Sequence, residues 1–381
     1  MTFSVRRFKA VAQKEFLELR RNPLFFLMTV LAPLILFFLF AYGFPLDAKN
    51  IPMGVLDLDK SALSRTLLDK FEAGKAFRIK QTAGDYASLE KELSLGRIRA
   101  ILAIPADFSR NLKRGLPVTL QILVDGSYPN RANLVSGYAE ATIFSFRTEI
   151  LRDFFIKAFG SAGAADLPID LSVSVWYNPS FRSEDFIIPG IIAIIMMFFP
   201  PLVSAISLAK EKETGSILNM YCSSVTKTEY LLGKMTPYVL ISYVNFLIFL
   251  LCALFIFEVP LRGDLPALLI VSAFYTATAV AMGLSIAVCV NTQIAAILIT
   301  AMVTLTPSFL YSGFMVPVSS IGEEGRLLAY GLPATHYIDV ARKIMVKGVG
   351  FAEVKLSVLA LVGFCVGLYA ISIAWFKKRL G

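Results

Sequence analysis

The sequence has few charged residues and almost no histidine. Charged residues make up 17% of its 381 positions, whereas hydrophobic residues make up 56%. A soluble globular protein of this composition would expose too much apolar surface, so the composition predicts an integral membrane protein. The single histidine, His336, has no pattern of partner residues around it. This argues against a histidine-based zinc site and a Ser-His-Asp triad.

Cysteine is also scarce, and one common nucleotide motif is missing. Cys252, Cys289 and Cys365 lie in apolar runs and Cys222 lies in a central loop, so the large polar region has none. A disulfide framework or a cysteine-based metal site in that region is therefore excluded. No Gly-x-x-x-x-Gly-Lys-Ser/Thr sequence occurs, so the chain has no Walker A phosphate cradle.

The net charge of +9 reflects basic residues at the ends of apolar runs. Such residues meet anionic lipid headgroups and fix the orientation of membrane proteins. No basic stripe alternates with stacking aromatic residues, which argues against nucleic-acid binding.

The apolar runs predict a polytopic α-helical membrane protein with six transmembrane helices, an N-terminal elbow helix and an α/β extracytoplasmic domain. The predicted order is an amphipathic elbow at 1–23, a first span at 24–44, the α/β domain at 45–184, spans two to six within 185–376, and a tail at 377–381. We expect Pro33 to kink the first span, and Pro189, Pro200 and Pro201 to bend or break the second.

Strand-like and helical runs alternate between 45 and 184, which predicts a compact domain with a parallel or mixed sheet. The predicted strands are 53–58, 77–81, 98–104, 118–124 and 171–177, and the predicted helices are 62–71, 86–95, 108–112 and about 130–159. Asp57, Asp59 and Asp125 follow strands. They fit either a metal site or caps of the following helices, and capping is the favoured interpretation.

The orientation of the chain across the membrane is predicted from the lysine and arginine residues of the short loops, because long translocated domains do not influence it. The N-terminal segment, the central loop and the tail carry most of these residues. Both termini and the central loop are therefore expected in the cytoplasm, with the α/β domain outside, and the inverted topology is the alternative.

The central loop, 210–234, lies between the second and third spans. Gly215 is expected to end the charged extension of the second span, and Ser216 to cap a short helix that reaches about Cys222. Thr226-x-x-Glu229 is a capping box for the third span. The charged residues of the loop can also be interpreted as a solvated helix end with weak local ion pairs.

Three segments resemble ABC type-2 transporter permeases, and the likeness covers the whole architecture. The first is the central loop, with Lys210-Glu211-Lys212-Glu213, Gly215-Ser216-Ile217, Glu229 and Gly233-Lys234. The second is the elbow, with Gln13-Lys14-Glu15-Phe16 and Leu19-Arg20-Arg21-Asn22-Pro23. The third is the last hairpin, with Tyr311-Ser312-Gly313-Phe314, Leu332-Pro333-Ala334-Thr335-His336-Tyr337 and Lys347-Gly348. The chain departs from the family pattern at Leu218, where glutamate is common, and at Ser224, where proline is common.

The resemblance implies a permease subunit of an ATP-driven exporter whose central loop acts as a coupling helix in a cleft of an ABC ATPase. The residues expected at that interface are Lys210, Glu211, Glu213, Gly215, Ser216, Glu229 and Lys234, and those of the elbow are Lys14, Glu15, Arg20 and Arg21. The implied location is a bacterial plasma (inner) membrane. The implied partners are an ATPase dimer, a second permease (identical or similar) and, in a Gram-negative cell, a periplasmic membrane-fusion adaptor. No cofactor is expected on this chain, since ATP and magnesium would bind the ATPase.

The outer hairpin at 317–354 contains two pieces too short to span a bilayer, 327–332 and 337–346, which the resemblance implies form a lid. His336 is expected to be a hydrogen-bonded structural residue. In the second piece, Asp339 can pair with Arg342 or Lys343, and one apolar face is expected from Tyr337, Ile338, Ala341, Ile344 and Met345.

The second and fifth spans carry a candidate path for a hydrophobic or amphipathic substrate, lined by Met196, Met197, Phe198, Phe199, Phe309 and Phe314. Helix packing or lipid contact explains these residues equally well.

Another function fits the same features. An ATPase-linked mechanotransmitter or sensor would use the loop to move the outer domain and control an extracytoplasmic partner without transport. A membrane-tethered enzyme is disfavoured, because the outer domain shows no convergent acid, base or nucleophile.

Overall fold

The computed structural model describes residues 3–43, 50–74, 76–126, 129–163 and 182–376. Its contacts divide the chain into two compact units. The helical unit comprises Met1–Pro45 and Val175–Gly381, and the inserted unit comprises Leu46–Ser174.

The helical unit begins with α1 (Val5–Arg21) and α2 (Pro23–Phe26), after which a π-helical turn (Leu27–Leu31) leads into α3 (Ala32–Gly43). Pro33 has no amide hydrogen and cannot supply the α-helical hydrogen bond to the carbonyl of Thr29. The side-chain amide of Asn245 donates to that carbonyl instead. The expected irregularity at Pro33 thus takes the form of a π turn whose buried carbonyl is satisfied by another helix.

The inserted unit contains a four-stranded mixed sheet. Its strands are β1 (Ile51–Asp57), β2 (Phe77–Thr82), β3 (Ala100–Ile104) and β4 (Gln121–Val124), and its helices are α4 (Ala62–Ala73), α5 (Tyr86–Ser94), α6 (Phe108–Lys113) and α7 (Pro129–Gly163). The strand order is β2-β1-β3-β4, with β1 parallel to β2 and β3, and β4 antiparallel to β3. The predicted mixed α/β arrangement is confirmed here, while the predicted strand at 171–177 lies outside the described residues.

Both faces of this sheet are covered. Met53 and Val55 of β1 pack with Leu67 and Phe71 of α4, whereas Leu56 belongs to a second cluster with Leu89, Ile98 and Ile101. This alternation follows from the two-residue period of a strand.

The carboxylates at the strand ends are engaged in local hydrogen bonds. Asp57 accepts from the backbone of Asp59 and Lys60 and from the hydroxyl of Ser64. Asp59 accepts from the hydroxyl of Ser109 at 3.0 Å. Asp125 instead forms an ion pair with Arg99. For Asp57 and Asp59 the contacts support turn and helix capping rather than a metal site.

The helical unit resumes at α8. Its further helices are α8 (Ser183–Glu213), α9 (Leu218–Tyr221), α10 (Lys227–Phe255), α11 (Leu265–Cys289), α12 (Gln293–Thr300), α13 (Thr306–Tyr311), α14 (Glu323–Tyr330), α15 (Pro333–Arg342) and α16 (Phe351–Trp375). A π turn (Ala301–Leu305) joins α12 to α13, a 3-10 turn (Val318–Ser320) precedes α14, and a second π turn (Lys343–Lys347) follows α15.

Five helices in the described part of the chain are long and apolar enough to cross a bilayer: Glu184–Glu213, Lys227–Phe255, Leu265–Cys289, Gln293–Tyr311 and Phe351–Trp375. The first predicted span coincides with a shorter apolar helix, Leu27–Gly43, which continues from α2. The number of six spans therefore stays a prediction.

α8 packs closely against α11. Pro189, Pro200 and Pro201 lie inside α8, yet the helix continues through them, so of the expected bend or break the break is absent and the bend stays a prediction. A Cβ atom on Gly283 of α11 would lie 2.1 Å from the carbonyl oxygen of Pro201, so glycine is required for this close approach.

The two ends of the helical unit differ in structure. The elbow end carries α1, α9, the end of α8 and the start of α10. The hairpin end carries α14, α15 and the start of α8. Tyr337, Ile338, Ala341, Ile344 and Met345 are all buried, as their predicted common face requires. Asp339 pairs with Lys343 at 2.8 Å, and the ring Nε2 of His336 lies 3.0 Å from the carbonyl oxygen of Tyr330, so both local predictions are confirmed.

Candidate functional site at the elbow end

The elbow helix α1 packs directly on the start of α10. A Cβ atom on Gly233 would lie 2.8 Å from the Cβ of Val11 and 3.1 Å from the carbonyl oxygen of Phe8. The apolar face of α1 is therefore turned toward protein at this point, and only glycine allows the two backbones to come so close.

A buried ion-pair cluster joins three helices at this contact. Lys234 of α10 is fully buried, and its ammonium group lies 2.6 Å from Oε1 of Glu15 in α1 and 3.3 Å from Oε1 of Glu211 in α8. Both carboxylates are buried as well. A charge in such a place is tolerated only when it is paired, so each of these side chains depends on the others. We call Glu15, Glu211 and Lys234 the elbow cluster.

Neighbouring side chains complete the hydrogen bonds of the elbow cluster. Tyr230 donates its hydroxyl hydrogen to Glu211, and Lys14 forms an ion pair with the same carboxylate. The hydroxyls of Tyr238 and Ser207 donate to Oε2 of Glu15 at 3.2 and 3.3 Å. With Lys14 included, two cations face two carboxylates, so the group is formally neutral.

Lys14 titrates under opposing influences. Partial burial lowers its pKa, but the hydrogen bond and charge of Glu211, together with the charges of Glu15 and Glu18, raise the pKa above the ordinary 10.5. Lys14 is therefore fully charged at neutral pH.

The carboxylates here also show a spacing known from metal sites. Glu15, Glu18 and Glu211 bring ligand atoms within 4.8 Å of one another. The ammonium groups of Lys14 and Lys234 already pair with this group, so we interpret it as an ion-pair cluster.

Glu229 makes a second link between the elbow and α10. Thr226 and Glu229 form the predicted capping box at the start of α10. Glu229 also accepts from the backbone amide of Ser4 at 2.6 Å and pairs with Arg7 at 3.1 Å. The cap therefore fixes the N-terminus of the elbow as well as that of α10.

The central loop makes a tight turn. α8 ends at Glu213, and Gly215 has a φ of +73°, the left-handed conformation that glycine adopts without strain. α9 follows at Leu218–Tyr221, shorter than predicted. The prediction that Ser216 caps it is wrong, because Ile217 is the N-cap residue and the Ser216 hydroxyl bonds to the Glu211 carbonyl at 3.4 Å.

α9 is anchored on one side and exposed on the other. Ile217 and Met220 are buried, whereas Leu218 is 43% exposed and Asn219 is exposed next to it. α9 therefore presents an exposed apolar side chain at the elbow end.

Lys212 and Glu213 bind the turn between α11 and α12. The ammonium group of Lys212 donates to the carbonyls of Ala287, Val288 and Val290 at 2.7 to 2.9 Å. Glu213 accepts from the backbone amide of Gln293 at 2.8 Å. The sequence did not indicate a site role for Lys212. Its partner Ala287 is 75 residues away, and a lysine in the last turn of a helix does not indicate such a distant contact.

The interface residues expected from sequence are thus separated into two groups. Glu211, Glu229 and Lys234 are buried against the elbow with Glu15, where a docked protein cannot touch them in this conformation. Glu213 and Ser216 are exposed, Gly215 is half-buried, and Lys210 lies beside Glu18 at 3.7 Å. Arg20 and Arg21 are exposed in the last turn of α1. Their positive charges there interact favourably with the partial negative charge at the C-terminal end of the helix.

The expected path residues take part in several separate contacts within the described helices. Met196 and Phe199 line a small cavity beside Asn245, and Met197 is fully buried. The rings of Phe198 and Phe199 lie 5.0 Å apart, and those of Phe309 and Phe314 lie 5.3 Å apart. Phe314 packs against Gly190. These contacts agree with helix packing.

The architecture is that of a polytopic helical membrane protein with a buried elbow contact and an inserted α/β unit. Residues 23–374 match the model of the family described as "ABC-2 family transporter protein". The chain belongs to this family, whose members are membrane subunits of transporters.

Relatives extend over the same length. The chain is 28% identical over 377 residues to the "Probable multidrug ABC transporter permease YbhS" of Escherichia coli, covering 99% of this chain and 97% of that one. It is 24% identical to the "Probable multidrug ABC transporter permease YbhR" of Escherichia coli, covering 98% and 99%. It is 23% identical to the "ABC transporter G family member 20" of Dictyostelium discoideum, covering 97% of this chain and 50% of that protein.

Proposed function

We propose that this chain is the permease subunit of an ATP-driven exporter that moves a hydrophobic or amphipathic molecule outward. The observation that carries the proposal is α9. It has buried anchors, Ile217 and Met220, and an exposed tip at Leu218 and Asn219. A short helix fixed in this way can enter a groove of a separate ATPase and transmit its movement.

The elbow cluster gives the movement a path into the membrane helices. Glu15, Glu211 and Lys234 connect α1, α8 and α10, and Lys212 connects α8 to the end of α11. A displacement of α9 therefore acts on these helices together, because separating them would leave a buried charge without its partner. In this proposal the buried residues are positioning residues, and Leu218 and Asn219 form the contact with the ATPase.

The proposed topology places the elbow end in the cytoplasm, with both termini, and the hairpin end outside with the inserted unit. The density of lysine and arginine at the elbow end supports it. The proposed partners are an ABC ATPase dimer, which binds ATP and magnesium, a second permease, membrane lipid and a periplasmic membrane-fusion adaptor. The names of the Escherichia coli relatives support transport of drug-like compounds.

The test compares two Leu→Arg variants at opposite ends. L218R alters the exposed tip of α9, and L327R alters a 79% exposed leucine of α14 at the hairpin end. Each is co-expressed with the ABC ATPase subunit that binds the wild-type chain, and co-purification, ATPase activity and export in liposomes are measured. We expect L218R to lower ATPase binding at least about tenfold, because burying an unpaired guanidinium is costly. L327R should bind the ATPase as the wild type does.

Equal ATPase binding by both variants would overturn the assignment of α9. The same reconstitution separates export from mechanotransmission. ATPase activity stimulated by amphipathic substrates in liposomes supports export, whereas stimulation only by an extracytoplasmic protein supports the sensor function and refutes export.

A further inference from the structure

A cavity of about 640 Å³ lies at the hairpin end. It is bounded by the start of α8, the segment 312–319, α15 with the turn after it, and the start of α16. Ligand pockets in proteins usually have volumes of roughly 300 to 1,000 Å³, so a small molecule or part of a larger one fits here. Phe186, Val318, Ile338 and Val346 form apolar parts of its wall.

The charged residues of the wall are not balanced. Its carboxylates are Asp185 and Asp339, and its permanent cations are Arg342, Lys343 and Lys347. Asp339 is paired with Lys343 at 2.8 Å, and Asp185 lies 3.9 Å from Arg182. Both acids therefore have a cationic partner, while Arg342 and Lys347 have no carboxylate within ion-pair distance among residues 182–376.

Arg342 is held in one orientation by neutral groups. Its guanidinium donates to the carbonyls of Phe186, Gly313 and Phe314 at 3.2, 2.7 and 3.3 Å and lies 3.7 Å from the centre of the Phe186 ring. A guanidinium has five N–H groups, so about two remain for another acceptor. The contacts fix the position of the positive charge without neutralising it.

We infer that this cavity binds the anionic headgroup of an amphiphile, a phosphate or a carboxylate, with the adjoining alkyl part against the apolar wall. Arginine suits such groups because its planar N–H donors match their oxygen atoms, and Lys347 supplies a second charge at the opening. The inference rests on the proposed export function, since it names the class of substrate, and the proposed topology places the cavity at the outer side.

Binding is tested with the full chain in nanodiscs of zwitterionic lipid, without ATP or the ATPase. A fluorescent dodecyl phosphate is the probe, its anisotropy is measured, and empty nanodiscs give the partition background. Unlabelled dodecyl phosphate should displace the probe at least about tenfold more effectively than dodecyltrimethylammonium, because the headgroup charges are opposite. Equal displacement by the two would overturn the inference. Displacement by inorganic phosphate at the same concentration as dodecyl phosphate would assign the site to a free anion and overturn the amphiphile.

Two lysine variants locate the binding. K347E reverses a charge in the cavity wall, and K355E reverses the charge of another exposed lysine, in α16, that is not part of that wall. Both positions are exposed, so both variants should fold, which size-exclusion chromatography verifies. We expect K347E to weaken the binding of dodecyl phosphate about tenfold, the scale of one charge-assisted contact, and K355E to leave it unchanged. Equal affinities would overturn the assignment of the cavity.

These results are independent of the exporter proposal. Binding to the cavity without export by the reconstituted complex would refute the function and leave the site intact. Export of other amphiphiles by a protein that does not bind dodecyl phosphate would refute the site and leave the function intact.

Discussion

Replacing Lys234 with methionine removes the ammonium group that Glu15 and Glu211 share. Methionine keeps most of the volume of lysine, so the variant K234M changes the charge more than the packing. The two carboxylates are buried, and Lys234 itself is fully buried. Removing one member of a buried ion pair usually costs about 3 to 5 kcal/mol, because the remaining charge stays desolvated.

A matched substitution of an exposed lysine, K210M, is the control for K234M. Lys210 lies 3.7 Å from Glu18, and their side chains are 31% and 41% exposed. Solvent screens such a pair, so K210M should cost at most about 1 kcal/mol. The free energy of unfolding is measured for both variants by SDS titration in mixed micelles, with circular dichroism as the signal.

The double variant E15Q/K234M tests whether the cost comes from the unpaired charge. With both charges removed, the amide that replaces the Glu15 carboxylate can still accept from Tyr238, and Glu211 keeps Lys14 and Tyr230. We expect the double variant to be more stable than K234M alone, which a double-mutant cycle measures directly. If K234M costs no more than K210M, or if E15Q worsens it, the elbow cluster does not connect the helices as argued.

Two further predictions concern other contacts. G233A should destabilise the helical unit by about 1 to 3 kcal/mol and speed hydrogen exchange in α1, because its methyl group would overlap Val11. The control is G363A, whose methyl group meets no atom within 4 Å and which should have little effect. Equal effects of the two variants would contradict the steric argument. In the inserted unit, partial burial raises the pKa of Asp59, but hydrogen bonds from Ser61 and Ser109 lower it to a net value below the ordinary 3.8. Since the folded pKa is depressed, this stabilisation is present above pH 3.8 and is lost as the pH falls through the folded pKa. D59N should therefore speed amide hydrogen exchange in α6 at about pH 6, once the rates are corrected for the intrinsic exchange rate at each pH. If the difference in exchange rate between D59N and the wild type is as large at about pH 3, the ionic contribution is refuted.

Elements governed by neighbouring residues could be predicted from the sequence. The capping box of Thr226 and Glu229, the ion pair of Asp339 and Lys343, and the alternation of strands and helices in the inserted unit all depend on short spacings. The helix terminus at Gly215 was likewise visible, because a left-handed residue after a charged helical segment favours glycine. The start of α9 could not be predicted in the same way, because Ile217 and not Ser216 occupies the N-cap position.

The apolar runs, the family likeness and the local caps can be recognised in the sequence alone, since each depends on adjacent positions or on residues one helical turn apart. Which charges of the central loop are buried and which are exposed depends instead on how the helices pack. Glu15 and Lys234 are 219 positions apart, and no periodicity links them. Their pairing arises because α1 packs on α10 at Gly233, where the low dielectric of the interior requires each charge to have a partner.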